Sequence, residues 1–153
     1  MTDGTQAGGG TELRDDGPMI VATVPLPGCT PERALAAFTD PGLLATWWRG
    51  ELTADLVTGG VYSVWFAAIP ARLTGQVLHY LPGSSLAFSW AWEGDTSPAS
   101  TVTVTAVPSS DGGSRLTIEH GPHTDDDAGQ RAHSEHWDGW EYFLPRLAAA
   151  LVS

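Results

Sequence analysis

The 153-residue chain contains no lysine, and all seven of its cationic side chains are arginine. Without lysine, Schiff-base catalysis and a lysine general base are excluded. The chain carries 18 acidic residues, which give a net charge of −11. A charge of this sign disfavours nucleic-acid backbones and anionic membranes as partners.

Cysteine and long apolar runs are equally scarce. Cys29 is the single cysteine, so no internal disulfide can form, which fits a cytoplasmic protein. It precedes a predicted helix start, a position that would lower the thiol pKa, yet no other sequence feature makes it a nucleophile. No apolar run reaches the ~20 residues of a membrane span. The Gly- and Asp-rich N-terminus also lacks the apolar stretch of a signal peptide.

The composition is that of a globular protein, with 42% hydrophobic residues. Residues 1–17 are polar, rich in glycine and aperiodic, so we expect them to form a disordered tail. Residues 18–153 have the length of one domain with a substantial core.

Strand and short-helix signals follow one another along this domain. It begins with the β-prone run Met19–Leu26. Thr30-Pro31-Glu32 then opens a helix, because threonine caps the first amides, proline suits the first turn and glutamate meets the positive helix end. Asp40-Pro41 repeats this signal for a second helix that ends near Trp47-Trp48. Further strands are predicted over residues 52–57, 61–68, 73–81, 86–92, 101–107 and 115–120. The short turns between them favour an antiparallel meander.

A long C-terminal helix begins near Gln130, after the acids Asp125–Asp127, which can cap it. Pro145 lies inside this helix and predicts a kink. The apolar stripe of the helix, at spacings of three and four, consists of Trp140, Phe143, Leu144, Leu147 and Leu151, with Trp137 at its edge. We expect this stripe to pack on the concave face of the sheet.

Motifs spread over residues 20–151 resemble a known superfamily. They are Thr30–Leu35, Ala37–Pro41 with its "FTDP" junction, Trp47-Trp48, Gly59-Gly60, Phe88-Ser89-Trp90 and His136-x-x-Gly139-Trp140. In order and spacing they resemble the START-like, helix-grip (SRPBCC) superfamily, and within it the homologues of the heat-shock protein 90 ATPase activator (Aha-like). The resemblance implies an α+β fold, in which a curved antiparallel sheet wraps around a long C-terminal α-helix and two short helices follow the first strand. Val57 departs from the family pattern, which often has an arginine there.

The resemblance also implies a cavity between the sheet and the C-terminal helix. Seven tryptophans are many for this length, and indole rings line such cavities as well as cores. Trp47 and Trp48 are adjacent and cannot face the same way, so we expect one in the core and the other at the cavity. The candidate ligand-binding residues are Trp48, Trp65, Trp90, Trp92, His120, Trp137 and Trp140. For each tryptophan, ordinary core packing is the alternative.

Three histidines are candidates for chemistry. His120 shares a strand face with two aliphatic residues and is the candidate acid–base residue, with a pKa that burial would lower; a hydrogen-bonded core histidine is the alternative. His133 and His136 share a helical face and are the candidate metal ligands. Their spacing matches no zinc motif, so we expect neither a metal nor a cofactor.

These features leave three hypotheses for function. The leading one is a module that binds a small hydrophobic or aromatic molecule in the cavity. A cyclase- or hydrolase-like enzyme with a cavity histidine is the second, but Glu119 should point away from His120, so binding is favoured over catalysis. The third is a chaperone-interacting, stress-response protein of the ATPase-activator type, which is disfavoured because the resemblance covers one domain of that protein. A homodimer stays open.

Overall fold

The computed structural model describes residues 10–95 and 98–152. Its eight strands are β1 (Glu12–Asp16), β2 (Met19–Leu26), β3 (Glu51–Ala54), β4 (Val61–Phe66), β5 (Ala71–Leu81), β6 (Ser85–Trp92), β7 (Ser100–Pro108) and β8 (Ser114–Gly121). Its three helices are α1 (Pro31–Thr39), α2 (Pro41–Trp48) and α3 (Asp127–Val152). The strands form one antiparallel sheet in the order β1-β2-β8-β7-β6-β5-β4-β3, curved around α3. This α+β helix-grip architecture confirms the predicted fold class.

The N-terminal boundary needs a correction. Residues Glu12–Asp16, which the sequence analysis assigns to a disordered tail, form β1 and pair with β2 in a register that places Leu13 opposite Ala22. The strand is largely exposed, so it carries little hydrophobic signal, and its stability comes from the backbone hydrogen bonds that the edge of β2 offers. Residues 1–9 of the predicted tail lie outside the described residues.

The inner face of the sheet follows the predicted alternation. In β6, Leu86, Phe88 and Trp90 are buried, and in β8 the inward residues include Ile118 and His120. Strand β3 ends three residues earlier than predicted, because residues 55–60 form a turn before β4. In that turn the amide of Gly60 donates to the carbonyl of residue 57 at 2.7 Å. The core therefore lies between this face of the sheet and the three helices.

Two buried hydrogen bonds hold the short helices in place, one to the sheet and one between the helices. Thr30 caps α1 as predicted, since its hydroxyl accepts from the amide of residue 33 at 3.2 Å. The hydroxyl of Tyr62 in β4 donates to the carbonyl of Phe38 at 2.6 Å. The indole of Trp47 donates to the carbonyl of Ala37 at 2.9 Å. These bonds fix the junction of α1 and α2, and with it the position of the C-terminus of α2.

Helix α3 spans the concave face of the sheet. Asp126 caps it, accepting from the amide of Gly129 at 2.8 Å, which confirms the capping role predicted for the acid run. Pro145 lies inside an otherwise continuous helix. The residues buried on its inner face include Trp140, Leu144, Leu147, Ala148 and Leu151. No described helix is long and apolar enough to cross a membrane.

Candidate functional site

A cavity of about 380 Å³ opens where the front of α3 leaves the sheet. It lies beside the C-terminal end of α2, the turn between β4 and β5, and the C-terminal end of β6. Its lining residues are Trp48, Arg49, Phe66, Ala68, Ile69, Trp90, Trp92, Glu135, His136, Gly139, Trp140, Tyr142 and Phe143. Most of these side chains are apolar, so the cavity suits an apolar molecule.

Trp48 contacts three other aromatic side chains that line the cavity. Its ring centroid lies 5.6 Å from that of Trp140, 5.9 Å from Trp90 and 5.7 Å from Phe66. Trp48 is itself held in place because it stacks on the fully buried ring of Trp47, with centroids 4.9 Å apart and planes 8° apart. The two adjacent tryptophans thus divide as expected: Trp47 belongs to the core and Trp48 lines the cavity.

Four of the six predicted tryptophans line the cavity: Trp48, Trp90, Trp92 and Trp140. Trp65 does not, because the inward residues of β4 alternate with it and its ring lies on the outer face, 5.3 Å from the guanidinium of Arg72. Trp137 does not line it either, because it lies at the edge of the apolar stripe and stacks on His133 with centroids 6.4 Å apart.

The mouth of the cavity is partly charged. Arg49 ends α2 in the left-handed region, with a φ of 59° that residues other than glycine rarely adopt. It is exposed, and no ion pair engages it within residues 10–95 and 98–152. Glu135 on α3 is the acid of the lining, while Ile69 and Tyr142 expose apolar surface beside it. A ligand with a polar group at its outer end would therefore meet charge at the mouth.

His120 is sealed within the core and does not reach the cavity. It is fully buried, and the indole of Trp140 donates to its Nδ1 at 3.0 Å. Because an indole only donates, the ring proton of neutral His120 is on Nε2, which lies 2.9 Å from the hydroxyl oxygen of Ser100. Burial, and then the nearby histidines, lower the pKa of His120 well below its usual value. The structure therefore corrects the cavity role expected of His120 and supports the alternative of a hydrogen-bonded core histidine.

His136, and not His120, is the histidine that lines the cavity. It lies on α3 one turn before Trp140, and its Nδ1 is 2.9 Å from Nε2 of His123. In turn, Nδ1 of His123 donates to the carbonyl of Pro18 at 2.9 Å. Burial, and then repulsion from His123 and His133, lower the pKa of His136 to about 4. Burial also lowers the pKa of His123.

A second, smaller cavity of about 100 Å³ lies on the other side of His136. It shares four lining residues with the larger one: Trp90, Trp92, Glu135 and His136. Ser100 and His123 line the smaller cavity but not the larger one. His136 therefore belongs to the partition between an aromatic chamber and a more polar one.

The histidines raise the question of a metal centre. Nitrogen atoms of His120, His123 and His136 all lie within 4.8 Å of one another. The lone pair of neutral His120 already accepts from Trp140. The rings of His120 and His136 stack with centroids 4.2 Å apart and planes 21° apart, so one ion cannot lie in both ring planes, as imidazole ligation requires. This arrangement fits a neutral hydrogen-bonded cluster better than a three-histidine metal site.

His133, the other metal candidate of the sequence analysis, lies outside this group. Its Nε2 is 3.3 Å from a carboxylate oxygen of Asp15, but this buried nitrogen makes no hydrogen bond with any residue that the structure describes. The contact joins α3 to β1. His133 therefore faces the N-terminal strand rather than the cavity.

The pKa of the Cys29 thiol also differs from the prediction. Its thiol is buried and donates weakly to the carbonyl of Thr30 at 3.7 Å. Burial raises the pKa of Cys29, and the opposing effect of Arg33 is smaller. The helix start that follows therefore does not activate this thiol.

The chain also matches a known protein family over most of its length. A family model described as "Activator of Hsp90 ATPase homolog 1-like protein" matches residues 28–152. The chain belongs to this family. No curated protein matches it.

Several solved structures share the fold of this chain. A protein from Mesorhizobium loti, MLL2253, is 24% identical with a TM-score of 0.75, over 87% of this chain and 96% of that one. A protein from Chromobacterium violaceum, CV1439, is 25% identical with a TM-score of 0.70, over 88% and 97%. DynU16, a protein in the dynemicin biosynthetic locus, is 26% identical with a TM-score of 0.74 over 90% of this chain, which spans only 48% of DynU16.

Two residues at this site, Phe66 and His123, are not among the site residues predicted from the sequence. His136 is predicted as a metal candidate, and because it precedes Trp140 by four and Phe143 by seven positions, it also shares their helical face. Phe66 had a signal in the sequence, since it lies two and four positions after Val64 and Tyr62 and so shares their inward face of β4. His123 forms an H-x-x-H pair with His120 in the sequence, but its place beside His136 cannot be predicted, because it lies in the irregular segment between β8 and α3, where periodicity gives no direction.

Proposed function

We propose that the aromatic cavity at the front of α3 binds an uncharged aromatic small molecule of two or three rings. The observation that carries this proposal is the cavity itself: about 380 Å³ lined mainly by aromatic side chains at the front of α3. Ligand cavities have volumes of roughly 300–1,000 Å³ and are mostly apolar, so this one lies at the small end of that range.

The shape of the lining supports a flat ligand. Trp48, Trp90 and Trp140 surround the cavity with planes inclined by 34–56° to one another. Such inclined faces offer both stacking and edge contacts to an aromatic ring, each worth ~0.5–1.5 kcal/mol beyond the burial of area. Beside them, a Cβ atom added at Gly139 would meet no atom of the other described residues within 4 Å, apart from its own turn of helix, so this wall of the cavity has room for a ligand.

The test fills the cavity with a side chain of the protein itself. The fluorescence of N-phenyl-1-naphthylamine, an uncharged aromatic probe, is titrated with wild type and with Gly139→Leu. We expect wild type to bind the probe with micromolar affinity and Gly139→Leu to weaken binding at least tenfold, which is about 1.4 kcal/mol.

The matched control is Gly42→Leu, in α2. Gly42 also sits in a helix with open space around its Cβ, but it does not line the cavity. Both variants replace a helical glycine by a better helix former, so neither should lower the melting temperature. If Gly139→Leu binds the probe as tightly as Gly42→Leu does, the cavity is not the binding site.

Membership of the family supports one alternative, the stimulation of a chaperone ATPase. The family is described by that activity, and the match covers nearly all of the described domain. ATPase turnover of the cognate Hsp90-type chaperone is measured with and without a tenfold excess of this protein. Stimulation that survives Gly139→Leu would favour the chaperone role over ligand binding.

A further inference from the structure

Hydrogen bonding fixes the protonation pattern of the pair His123–His136. A carbonyl oxygen only accepts, so Nδ1 of His123 carries a proton and donates it to Pro18. In the neutral pair, Nε2 of His123 is then an acceptor, and Nδ1 of His136 donates to it across 2.9 Å. This leaves the lone pair of His136 on its Nε2. One histidine thus orients the other, as in catalytic bases held by a second residue.

Among the described residues, that remaining nitrogen has no hydrogen-bond partner, and it is not sealed from solvent. Nε2 of His136 makes no hydrogen bond among the described residues. The sealed and unpartnered polar atoms of the same residues are Trp90 Nε1, Ser114 Oγ and His133 Nε2, and His136 is not among them. His136 also lines both cavities. Its free lone pair is therefore open to a molecule bound there.

A second orphan polar group lies in the same wall. Trp90 is 7% exposed, and its indole N–H is buried with no acceptor. Its ring centroid is 5.1 Å from that of His136. Buried donors ordinarily have a partner, so this unsatisfied donor gains an acceptor if ligand binding shifts the Trp90 ring and exposes its N–H to a ligand oxygen. The open acceptor on His136 and the unsatisfied donor on the neighbouring Trp90 match a carbonyl compound with an acidic C–H next to the carbonyl.

We propose that His136 is a catalytic acid–base residue that transfers a proton to and from the carbon next to the carbonyl of an aromatic ketone, with His123 as its positioning residue. The inference rests on the proposed function, because the ketone must first occupy the aromatic cavity. In the step, the C–H bond breaks and a bond between that proton and Nε2 of His136 forms. The electron pair of the C–H bond moves to the carbonyl oxygen as an enolate, near the Trp90 N–H. Return of the proton from Nε2 to carbon or oxygen restores His136.

The pair is suited to hold the transferred proton for a short time. When Nε2 of His136 gains a proton, its Nδ1 proton can move to Nε2 of His123, so the charge is shared by both rings. His123 is only partly buried and lies on the solvent side of His136. The burial that keeps the pKa of His136 near 4 also keeps the ring in its basic form at neutral pH. A carboxylate base with a pKa in that range serves ketosteroid isomerase, where hydrogen-bond donors stabilise the enolate.

The test follows hydrogen–deuterium exchange at C1 of 2-tetralone, an aromatic ketone with an acidic C–H, by proton NMR in D₂O at neutral pH. Wild type is compared with His136→Asn, whose amide can keep the bond to His123 but has no basic nitrogen. We expect wild type to exchange the ketone ~100-fold faster than His136→Asn, within the usual range for a general base. Dissociation constants from tryptophan fluorescence should differ by no more than threefold. His79→Asn, at an exposed histidine bonded to Ser85, should exchange like wild type.

Two variants of His123 test its positioning role. In His123→Gln the side-chain oxygen can still accept from Nδ1 of His136, whereas in His123→Asn the side chain is too short to reach it. We expect the glutamine variant to keep at least a third of the wild-type exchange rate and the asparagine variant to lose about 90% of it. Long-range ¹⁵N–¹H correlation spectra should show His136 in its Nδ1–H tautomer in wild type and in His123→Gln, but not in His123→Asn.

The outcomes separate the two proposals. If wild type binds 2-tetralone but exchanges it no faster than His136→Asn, the catalytic inference is overturned and the binding function stands. If wild type binds neither 2-tetralone nor N-phenyl-1-naphthylamine, both are overturned. Equal tautomers and rates in the two His123 variants would remove the positioning role alone.

Discussion

Lowering the pH from 7 to 4.5 should destabilise the protein through its histidine cluster. Burial first, and mutual repulsion second, lower the pKa of His120 and His136 in the folded state. Burial also lowers the pKa of His123. An unfolded chain binds protons to these rings near pH 6.5. Between that pH and the lower folded pKa values the unfolded state therefore holds more protons, and stability falls as the pH falls.

The size of this effect follows from His136, whose pKa falls from 6.5 to about 4. At about 1.4 kcal/mol per pKa unit, its contribution to stability should fall by ~2–3 kcal/mol by pH 4.5. This is a large part of a total stability of roughly 5–15 kcal/mol. His120 adds a loss in the same direction. Hydrogen bonds from neighbouring residues lower the pKa of the exposed acids Asp111 and Asp126. Their contribution to stability is therefore lost only when the pH falls below the usual pKa range of carboxyl groups.

The assay is urea unfolding at intervals of half a pH unit, for wild type and for His136→Asn. Charge repulsion in this acidic chain also changes with pH, but it changes equally in both proteins and cancels in their difference. We expect wild type to lose ~2–3 kcal/mol relative to His136→Asn between pH 7 and pH 4.5. Parallel stability curves would refute the reasoning, because His136 would then titrate alike in the folded and unfolded states.

Two further variants test the core around the site. His120→Ala removes a buried imidazole and leaves its two hydrogen-bond partners unsatisfied, so urea unfolding at pH 7 should show a loss of ~3 kcal/mol in the free energy of unfolding. The control, His79→Ala at an exposed histidine, should lose ~0.5 kcal/mol or less. Similar losses in the two variants would contradict the buried position of His120. Gly75→Ala would press its methyl group against a backbone carbonyl of β6, so thermal unfolding should show a loss of ~2 kcal/mol. Gly42→Ala, in open space, should show none, and equal melting temperatures would contradict the close packing of β5 on β6.

Local patterns in the sequence predict most of this fold. Period-two alternation in β6 correctly turns Phe88 and Trp90 inward, and Thr30 marks the start of α1. Such signals depend on neighbours in the chain, which periodicity and capping describe well. The edge strand β1 escapes prediction because pairing with β2, rather than an apolar pattern of its own, stabilises it.

The candidate site is less predictable, because contacts between distant segments create it. His123 meets His136 only when the segment after β8 packs against α3. His120 faces inward as its strand predicts, but whether it reaches the cavity depends on Trp140, whose indole bonds to it. Trp65 differs from His120, because it does not face inward at all. Its aromatic side chain suggests a place in the cavity, but the alternation of β4 directs it to the outer face of the sheet.

The binding of an aromatic molecule in the cavity is tested most directly by the indole N–H signals of the seven tryptophans in ¹⁵N–¹H spectra. Assigned by single Trp→Phe variants, they are followed while N-phenyl-1-naphthylamine is added. The signals expected to shift are those of the four tryptophans that line the cavity, Trp48, Trp90, Trp92 and Trp140. Trp65 and Trp137, which lie outside it, should stay unchanged. Shifts confined to Trp65 or Trp137, or no shift at saturating probe, would contradict the account.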